Sequence, residues 1–368
     1  MATLESLLAG RNMSRLVQNV KSGLPFTLPV SFLTPTDPMI PGHTFEYPQV
    51  NGSRRLALLV SQGSPARRQG HQGVTYKSVN MLRTFESQVF NANKLRNLVE
   101  VENPQQRDAM GRSFVERNIM DFKKAQMNLV QTTAAVMLLK FSLHANEQGE
   151  LLTSSSGAVI SIDPGIPAGQ QSQLDILGSG SIIDASWSVA GTDIIGHLAE
   201  LKRQMLKLGG WTMRFAFHGK NIPKYIGSNT VAKEYIDQTP ALATQRFTGA
   251  NMVPNGFQDL TWVNCSDMYY IDADGTTQQI LGDDDVVFTP EPSSDWWRMA
   301  HGSEMVPTGI AQVGSDAQAM LGNLSEVFGS FSYAAMSHNP VSIEFLHGLN
   351  YVPVIAATNS VCKADVTP

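Results

Sequence analysis

The sequence predicts an α+β fold in which one very long helix separates a strand-containing N-terminal region from a mixed region of helices and strands. Apolar residues recur at helical spacing from Pro104 to Ala145. Short strand-like runs bounded by turn residues lie on both sides of this segment, and helix start and stop signals return between Asp193 and Ile236. The long helix would extend roughly 60 Å, more than an ordinary domain of this size needs. A helix of this length indicates a subunit of a larger assembly.

The composition indicates a protein with a large core and little exposed charge. The chain has 368 residues, of which 42% are hydrophobic and only 16% charged, with a formal net charge of -5. Low charge at this size fits a surface covered by neighbouring subunits, although a large core has a similar effect. Two widely separated cysteines, Cys265 and Cys362, argue for a reducing cytosol and against a disulfide framework. With no signal peptide and no apolar run of bilayer-spanning length, we expect a soluble intracellular protein.

The N-terminal region predicts an extended arm followed by a long basic hairpin. Prolines and aromatics are interspersed from Gly23 to Gly52, which excludes one regular element. Residues 54–60 and 74–82 resemble two strands joined by a flexible tip. No Asp or Glu occurs from Asn51 to Thr84. The basic residues of this stretch are the candidate intersubunit contacts: Arg54, Arg55, Arg67, Arg68, Lys77 and Arg83.

Two kinds of partner are compatible with the basic hairpin. An isolated two-stranded hairpin is only marginally stable in water, so we expect it to rest on an acidic partner surface. Nucleic acid is the alternative partner. Protein contact is favoured, because Tyr76 is the only aromatic residue among the basic ones and the whole chain is acidic.

The long helix is predicted to be half exposed and half buried. Asn103 suits the N-cap, Pro104 suits the first helical position, and Gly149 is an end signal. Charged residues are frequent up to Lys124, whereas no charge occurs from Ala125 to Leu139. We therefore expect the second half to be buried in the subunit and the first half to lie on a wetter surface.

The remainder of the chain predicts short elements with clear local signals. Asp193 or Thr192 caps a helix that runs through Leu208 and stops at Gly209 and Gly210. The other predicted elements are a strand at 158–162, a strand at 211–217, a broken helix at 221–236, a hairpin of 261–271 with 276–281, and strands at 286–289, 342–346, 352–357 and 360–366.

The residues predict no catalytic, cofactor-binding or metal site. Asp272, Asp274 and Gly275 suggest a calcium loop, but the further oxygen ligands and the closing Glu are missing, so a hairpin turn is the better interpretation. The eight histidines show no metal-binding spacing, and nucleophile-elbow and phosphate-loop motifs are missing. The triplet Asp283 to Asp285 is interpreted as a solvated loop or an interface charge patch. A metal-dependent α/β enzyme using this triplet remains the alternative from another functional class.

The order of these parts resembles that of the major capsid proteins of tailed phages, and most closely the lambda-type capsid protein E family. The segment VTYKSVNMLRTF resembles the outgoing strand of that family's extended loop, and NPQQRDAMGRSFVERNIMDF resembles the start of its spine helix. VSIEFLHGLNYVPVIAATNSV is similar to its closing strands. The resemblance implies a Hong Kong 97-like fold with five parts: an N-terminal arm (1–50), an extended loop (51–102), a peripheral domain with the spine helix (103–190), an axial domain (191–335) and returning C-terminal strands (336–368).

The resemblance also implies a shell-forming function without catalysis. Members assemble into hexamers and pentamers around phage DNA, with a scaffolding protein and a portal and, in some cases, a decoration protein. Some crosslink a Lys of the extended loop. Lys77 lies in the matching region, but no acidic catalyst or Asn partner is marked, so crosslinking is not carried over. An encapsulin-like compartment shell with the same fold is the alternative.

Overall fold

The computed structural model describes residues 28–49, 75–91, 104–171, 181–239, 242, 253–307, 311–312, 324–338 and 341–367. The helices are α1 (Val30–Leu33), α2 (Pro104–Lys140), α3 (Ile194–Gly209), α4 (Ile222–Ser228) and α5 (Thr230–Gln238). The first strands are β1 (Asp37–Ile40), β2 (Thr44–Gln49), β3 (Thr75–Asn80), β4 (Leu82–Asn91), β5 (Leu143–Ala145), β6 (Leu151–Leu152), β7 (Ile160–Ile162), β8 (Met213–His218) and β9 (Thr261–Asn264). The remaining strands are β10 (Tyr269–Ile271), β11 (Thr277–Gln279), β12 (Asp285–Pro290), β13 (Trp297–Pro307), β14 (Ala311–Gln312), β15 (Leu324–Phe328), β16 (Ser330–His338), β17 (Val341–Ile355) and β18 (Cys362–Asp365).

Helix α2 is the long helix that the sequence predicted, and it begins at Pro104 as expected. It has 37 residues and is therefore about 56 Å long. The predicted end was wrong, because the helix ends at Lys140 and not at Ala145. Phe141 has a φ of 63°, and a left-handed residue of this kind stops a helix without a glycine. The chain then enters β5, which pairs with β6 and β7.

The predicted asymmetry of α2 is present in its described side chains. Arg117, Met120, Asp121 and Lys124 are exposed in the first part. The buried apolar residues of the second part are Val130, Ala134, Ala135, Val136, Met137, Leu138 and Leu139. The side chains become buried where charged residues stop occurring along the sequence. This is expected, because burying an unpaired charge is costly.

The chain divides into two compact units, of which the first comprises residues 1–46, 78–134 and 298–353. Its main feature is a seven-stranded sheet with the order β1-β13-β17-β16-β14, in which β15 also pairs with β13 and β4 with β17. The sequence predicted two strands where β17 is one strand of 15 residues. Gly348 lies between the two predicted strands and packs under the ring of Phe331, where no Cβ would fit. The glycine is therefore required by packing within the strand.

The second unit comprises residues 47–77, 135–297 and 354–368. Its four-stranded sheet has the order β18-β12-β8-β9, with β8 and β9 parallel. Helix α3 packs its apolar side into the same core as this sheet. The predicted caps of α3 are confirmed, because the Asp193 carboxylate accepts a 2.8 Å hydrogen bond from the Gly196 amide and Gly210 has a φ of 77°.

The predicted hairpin of 261–271 with 276–281 was partly wrong. Residues 261–264 form β9, which pairs with β8, and only β10 pairs with β11, from Tyr269 opposite Gln279 to Ile271 opposite Thr277. The Cys265 amide donates to the His218 carbonyl, and a turn between Cys265 and Met268 then redirects the chain. Residues 261–271, predicted as one strand, therefore contribute to two different sheets.

The described part of the predicted arm is folded against its own chain. It contains α1, β1 and β2, and the side chains of Phe32, Phe45 and Tyr47 are buried. Strand β2 pairs with β3. The strand predicted to pair with β3, residues 54–60, lies outside the described residues.

Candidate intersubunit contact residues

The structure describes two of the six residues predicted to contact a neighbouring subunit. Arg54, Arg55, Arg67 and Arg68 lie outside the described residues. Lys77 belongs to the second unit and Arg83 to the first.

Lys77 lies in β3 and binds a loop of its own chain. Its ammonium donates to the carbonyl oxygens of Pro164 at 2.9 Å and Asp163 at 3.4 Å. The Gln49 side chain in β2 donates to the same Pro164 oxygen at 2.7 Å. Both strands are thereby attached to the turn at Gly165, whose φ of 75° favours glycine. The role of Lys77 in a subunit contact stays a prediction.

Arg83 lies in β4 and is held by the large sheet. Its guanidinium is 3.3 Å from the Glu304 carboxylate and 4.9 Å from the centre of the Phe85 ring. Glu304 also accepts a 3.1 Å hydrogen bond from Asn350, which is opposite Arg83 in the strand pairing. An ion pair with one partner 47% exposed contributes about 0–1 kcal/mol. Much of the Arg83 side chain is thus available to a neighbour, and its contact role also stays a prediction.

A group of polar residues that was not predicted from the sequence lies between α2 and the large sheet. This buried polar cluster consists of the buried residues Lys123, Gln126, Ser332 and His347, together with half-buried His301. Lys123 is only 6% exposed, and burial lowers the pKa of its ammonium to about 8. The sequence did carry a signal, because Lys123 lies seven residues before Val130 and fourteen before Met137, on the buried side of the helix.

Two histidines complete the buried polar cluster. His347 Nδ1 is 2.6 Å from Ser332 Oγ, and the His347 ring is stacked on Phe122 with centres 4.5 Å apart. Burial lowers the pKa of His347 to about 4. Burial, and then the positive charge of Lys123, lower the pKa of His301 to about 4 as well. Both rings are therefore neutral at physiological pH.

All three carboxylates of the Asp283 to Asp285 triplet have partners within the chain, and exposed Asp283 accepts a 2.8 Å hydrogen bond from the Gln279 side chain. Asp284 accepts hydrogen bonds from the Tyr225 hydroxyl at 2.7 Å and the Asn221 amide at 2.9 Å, and Asp285 is 2.7 Å from the Lys363 ammonium. The hydrogen bond to Asp284 is the main cause of the raised pKa of Tyr225. Only Asp283 is largely exposed, so the interpretation as a solvated loop does not hold for its two neighbours.

The described ranges contain little that suits another kind of site. No three His, Cys, Asp or Glu side chains there are grouped as ligands of one metal ion. Cys265 and Cys362 are both buried and free, and burial raises the pKa of each thiol. None of the described helices combines the length and hydropathy needed to cross a bilayer.

Comparison with known proteins relates this chain to phage structures by fold. No protein-family model matches the sequence, and a comparison with curated proteins found no match. A phage-related protein from Bordetella bronchiseptica RB50 is similar in structure, with a TM-score of 0.51 and 9% identity over 100% of this chain and 98% of that chain. The predicted α+β, Hong Kong 97-like fold is confirmed.

Two further solved structures are similar at lower scores. The mature capsid of bacteriophage PhiM1 has a TM-score of 0.47 and 9% identity over 94% of this chain and 89% of that chain. The holo-SrpI encapsulin complex from Synechococcus elongatus PCC 7942 has a TM-score of 0.38 and 11% identity over 96% of this chain and 94% of that chain.

Proposed function

We propose that the chain is the major capsid protein of a tailed bacteriophage. It assembles into the hexamers and pentamers of an icosahedral shell that encloses the double-stranded DNA genome. The observation that carries this proposal is the fold, which extends over the whole chain and is shared with a phage-related protein. The order of arm, loop, long helix, mixed region and returning strands supports the same conclusion.

The physical character of the chain supports a structural role. A helix of 37 residues with an exposed first part and a buried second part suits an element that spans a subunit and meets its neighbours. The low charged fraction of 16% suits a subunit whose surface is largely covered in the assembly. We assign no catalytic role, because the polar residues described above serve packing and hydrogen bonding within the chain.

The proposed partners follow from the proposed function. The first partner is the chain itself, through the extended-loop residues Arg54, Arg55, Arg67, Arg68, Lys77 and Arg83. A scaffolding protein and a portal act during assembly in the cytoplasm of the host bacterium, and a decoration protein is a further partner of the virion. Packaged DNA makes weak, non-specific contact, in keeping with the net charge of -5.

We propose no membrane partner. The five-part division of the chain given above belongs to this proposal.

Sedimentation of the expressed protein tests the proposal. We expect particles of many subunits when the chain is produced with or without a scaffolding protein from the same genome. Sedimentation of monomers alone under both conditions would contradict a shell function. Circular dichroism of the same sample shows whether the chain is folded, so that misfolding is distinguished from failure to assemble.

Gene context separates a capsid from an encapsulin-like compartment, which has the same fold. Portal and terminase genes beside this gene are expected for a phage capsid protein. A neighbouring gene for a cargo enzyme would instead assign the chain to a cellular compartment shell.

A further inference from the structure

A cavity with an excess of positive charge opens on the second unit, where α3 ends and β8 begins. Its volume is about 280 Å³, and it is lined by Lys202, Leu206, Trp211, Thr212, Met213, Arg214 and Asp259. We call it the basic cavity. Trp211, Met213 and Leu206 give it apolar walls. Its charged side chains are two cations, Lys202 and Arg214, and one carboxylate, Asp259.

The two cations of the basic cavity differ in how firmly they are held. The Lys202 ammonium donates to the Gln258 carbonyl, and burial lowers its pKa while Asp259 acts in the opposite direction. Arg214 is exposed, and within the described residues no hydrogen bond or ion pair of its guanidinium is found. Arg214 is therefore the cation that is available to an incoming carboxylate.

One wall of the basic cavity is a strained turn. Gln258 and Asp259 have φ values of 54° and 55°, a conformation that costs about 1 kcal/mol or more per residue for side chains of this kind. The turn is held by backbone hydrogen bonds from Asp259 to Gly256 at 3.0 Å and from Gly256 to Leu260 at 2.9 Å. The cavity is thus formed in advance of any ligand.

The same unit carries a hairpin of complementary character, formed by β10 and β11. The side chains of Tyr269 and Ile271 are 46% and 70% exposed, although both are apolar or aromatic. Asp267 and Asp274 are exposed beside them, and no Lys or Arg occurs from Asp267 to Leu281. We call this the acidic hairpin.

The acidic hairpin is fixed to the body of its unit. The Lys140 ammonium donates to the Tyr270 hydroxyl at 3.2 Å, and the Ala273 amide donates to the Leu151 carbonyl at 3.3 Å. A hairpin anchored on its inner side and apolar on its outer side loses little conformational entropy when it binds. Isolated exposed apolar residues need no explanation, but two on one short strand indicate a contact surface.

The basic cavity and the acidic hairpin lie at opposite ends of two parallel strands. Residues 211–214 lie around the start of β8 and Asp259 precedes the start of β9, whereas the hairpin follows the end of β9. Strands of this length separate their ends by roughly 10–20 Å. A subunit with complementary surfaces at opposite ends can repeat head to tail, which is the arrangement that closes rings.

We propose that the acidic hairpin of one copy binds in the basic cavity of the next copy, with Asp274 near Arg214 and the side chains of Tyr269 and Ile271 against the apolar walls. This inference rests on the proposed function, because it assigns a contact within the hexamers and pentamers. Charge complementarity and the shared apolar character favour a second copy of this chain over any other occupant.

Charge reversal tests the contact. Arg214→Glu and Asp274→Arg should each reduce the assembled fraction at least tenfold, because each places like charges together. The double variant should recover most of that loss by restoring an opposite pair. Lys207→Glu, at an exposed position on the same helix outside the cavity, should assemble as the wild type does.

The outcomes separate this contact from the proposed function. If wild-type chains never assemble, the proposed function is contradicted. If the wild type assembles and both single variants, shown to be folded by circular dichroism, assemble equally well, only this contact is overturned. A double variant no better than the single variants also overturns it.

Discussion

The burial of the Lys123 ammonium lowers the stability of the folded chain. This ammonium is buried in the first unit, and within the described part of the chain no counter-ion lies beside it. Replacement by Met keeps the length of the side chain and removes the cost of burying a charge. Lys123→Met should therefore raise the free energy of unfolding by up to about 3 kcal/mol at pH 7.

Urea unfolding of the purified subunit measures this change. Lys124→Met is the matched control, because Lys124 is exposed and its replacement should alter stability by less than about 0.5 kcal/mol.

The folded-state pKa of Lys123 lies below its ordinary value of 10.5, so the stability of the wild type should rise between about pH 8 and 10.5. Lys123→Met should lack this rise; a destabilised variant would show that the ammonium has a partner outside the described residues.

His301 and His347 predict a loss of stability in acid. Their pKa values of about 4 lie below the ordinary value of 6.5, so the unfolded chain takes up protons first as the pH falls. The contribution of the neutral rings is complete above pH 6.5 and is lost progressively down to about pH 4. A double variant with Gln at both positions should show a flatter stability profile over this range.

His43→Gln provides the control for replacing a histidine by Gln. Because His43 is exposed, this change should alter the free energy of unfolding at pH 7 by less than about 0.5 kcal/mol. An equal slope in the wild type and the double variant would contradict the assignment of the acid sensitivity to His301 and His347.

At the scale of the element, helix α2 offers two methionines in opposite environments. Met137 is 0% exposed and Met120 is 43% exposed. Met137→Asp buries an unpaired carboxylate, at a cost comparable with the whole stability of a domain, and should abolish folding. Met120→Asp should change stability by about 0.5 kcal/mol or less. Soluble yield and circular dichroism measure both; a folded Met137→Asp chain would contradict the packing described for the second half of α2.

Elements with local signals were predictable from the sequence, whereas elements defined by distant partners were not. Helix α3 was predicted because Asp193 and Gly210 act within one turn of its ends. Strand β17 was predicted as two strands, because the need for Gly348 arises from Phe331 in a neighbouring strand. The end of α2 at Lys140 was missed for a related reason, since sequence patterns do not predict a left-handed Phe141.

The surroundings of the candidate contact residues also depend on residues that are distant in the sequence. A cluster of basic residues without acidic ones was visible in the sequence, and it suggested one continuous loop. The structure places Arg83 in a sheet beside Glu304, a residue far along the chain. Lys123 was missed because a charged residue on a helix was assumed to be exposed, although its spacing from Val130 and Met137 placed it on the buried side.

At the scale of the whole molecule, the extended loop predicts how charge affects assembly. Arg67→Glu combined with Arg68→Glu should leave the subunit folded and reduce assembly, because like charges would then face an acidic neighbour. The double variant Lys224→Glu and Lys233→Glu makes the same change in net charge at exposed positions of α4 and α5. Sedimentation of both variants compares them; normal assembly of the loop variant would contradict the electrostatic account of the loop.

Negative-stain electron microscopy of the expressed protein shows directly whether this chain builds a closed shell. We expect round, icosahedral particles with five-fold and six-fold clusters of subunits, formed by the wild type with or without a scaffolding protein. A field of folded monomers under both conditions would contradict this expectation.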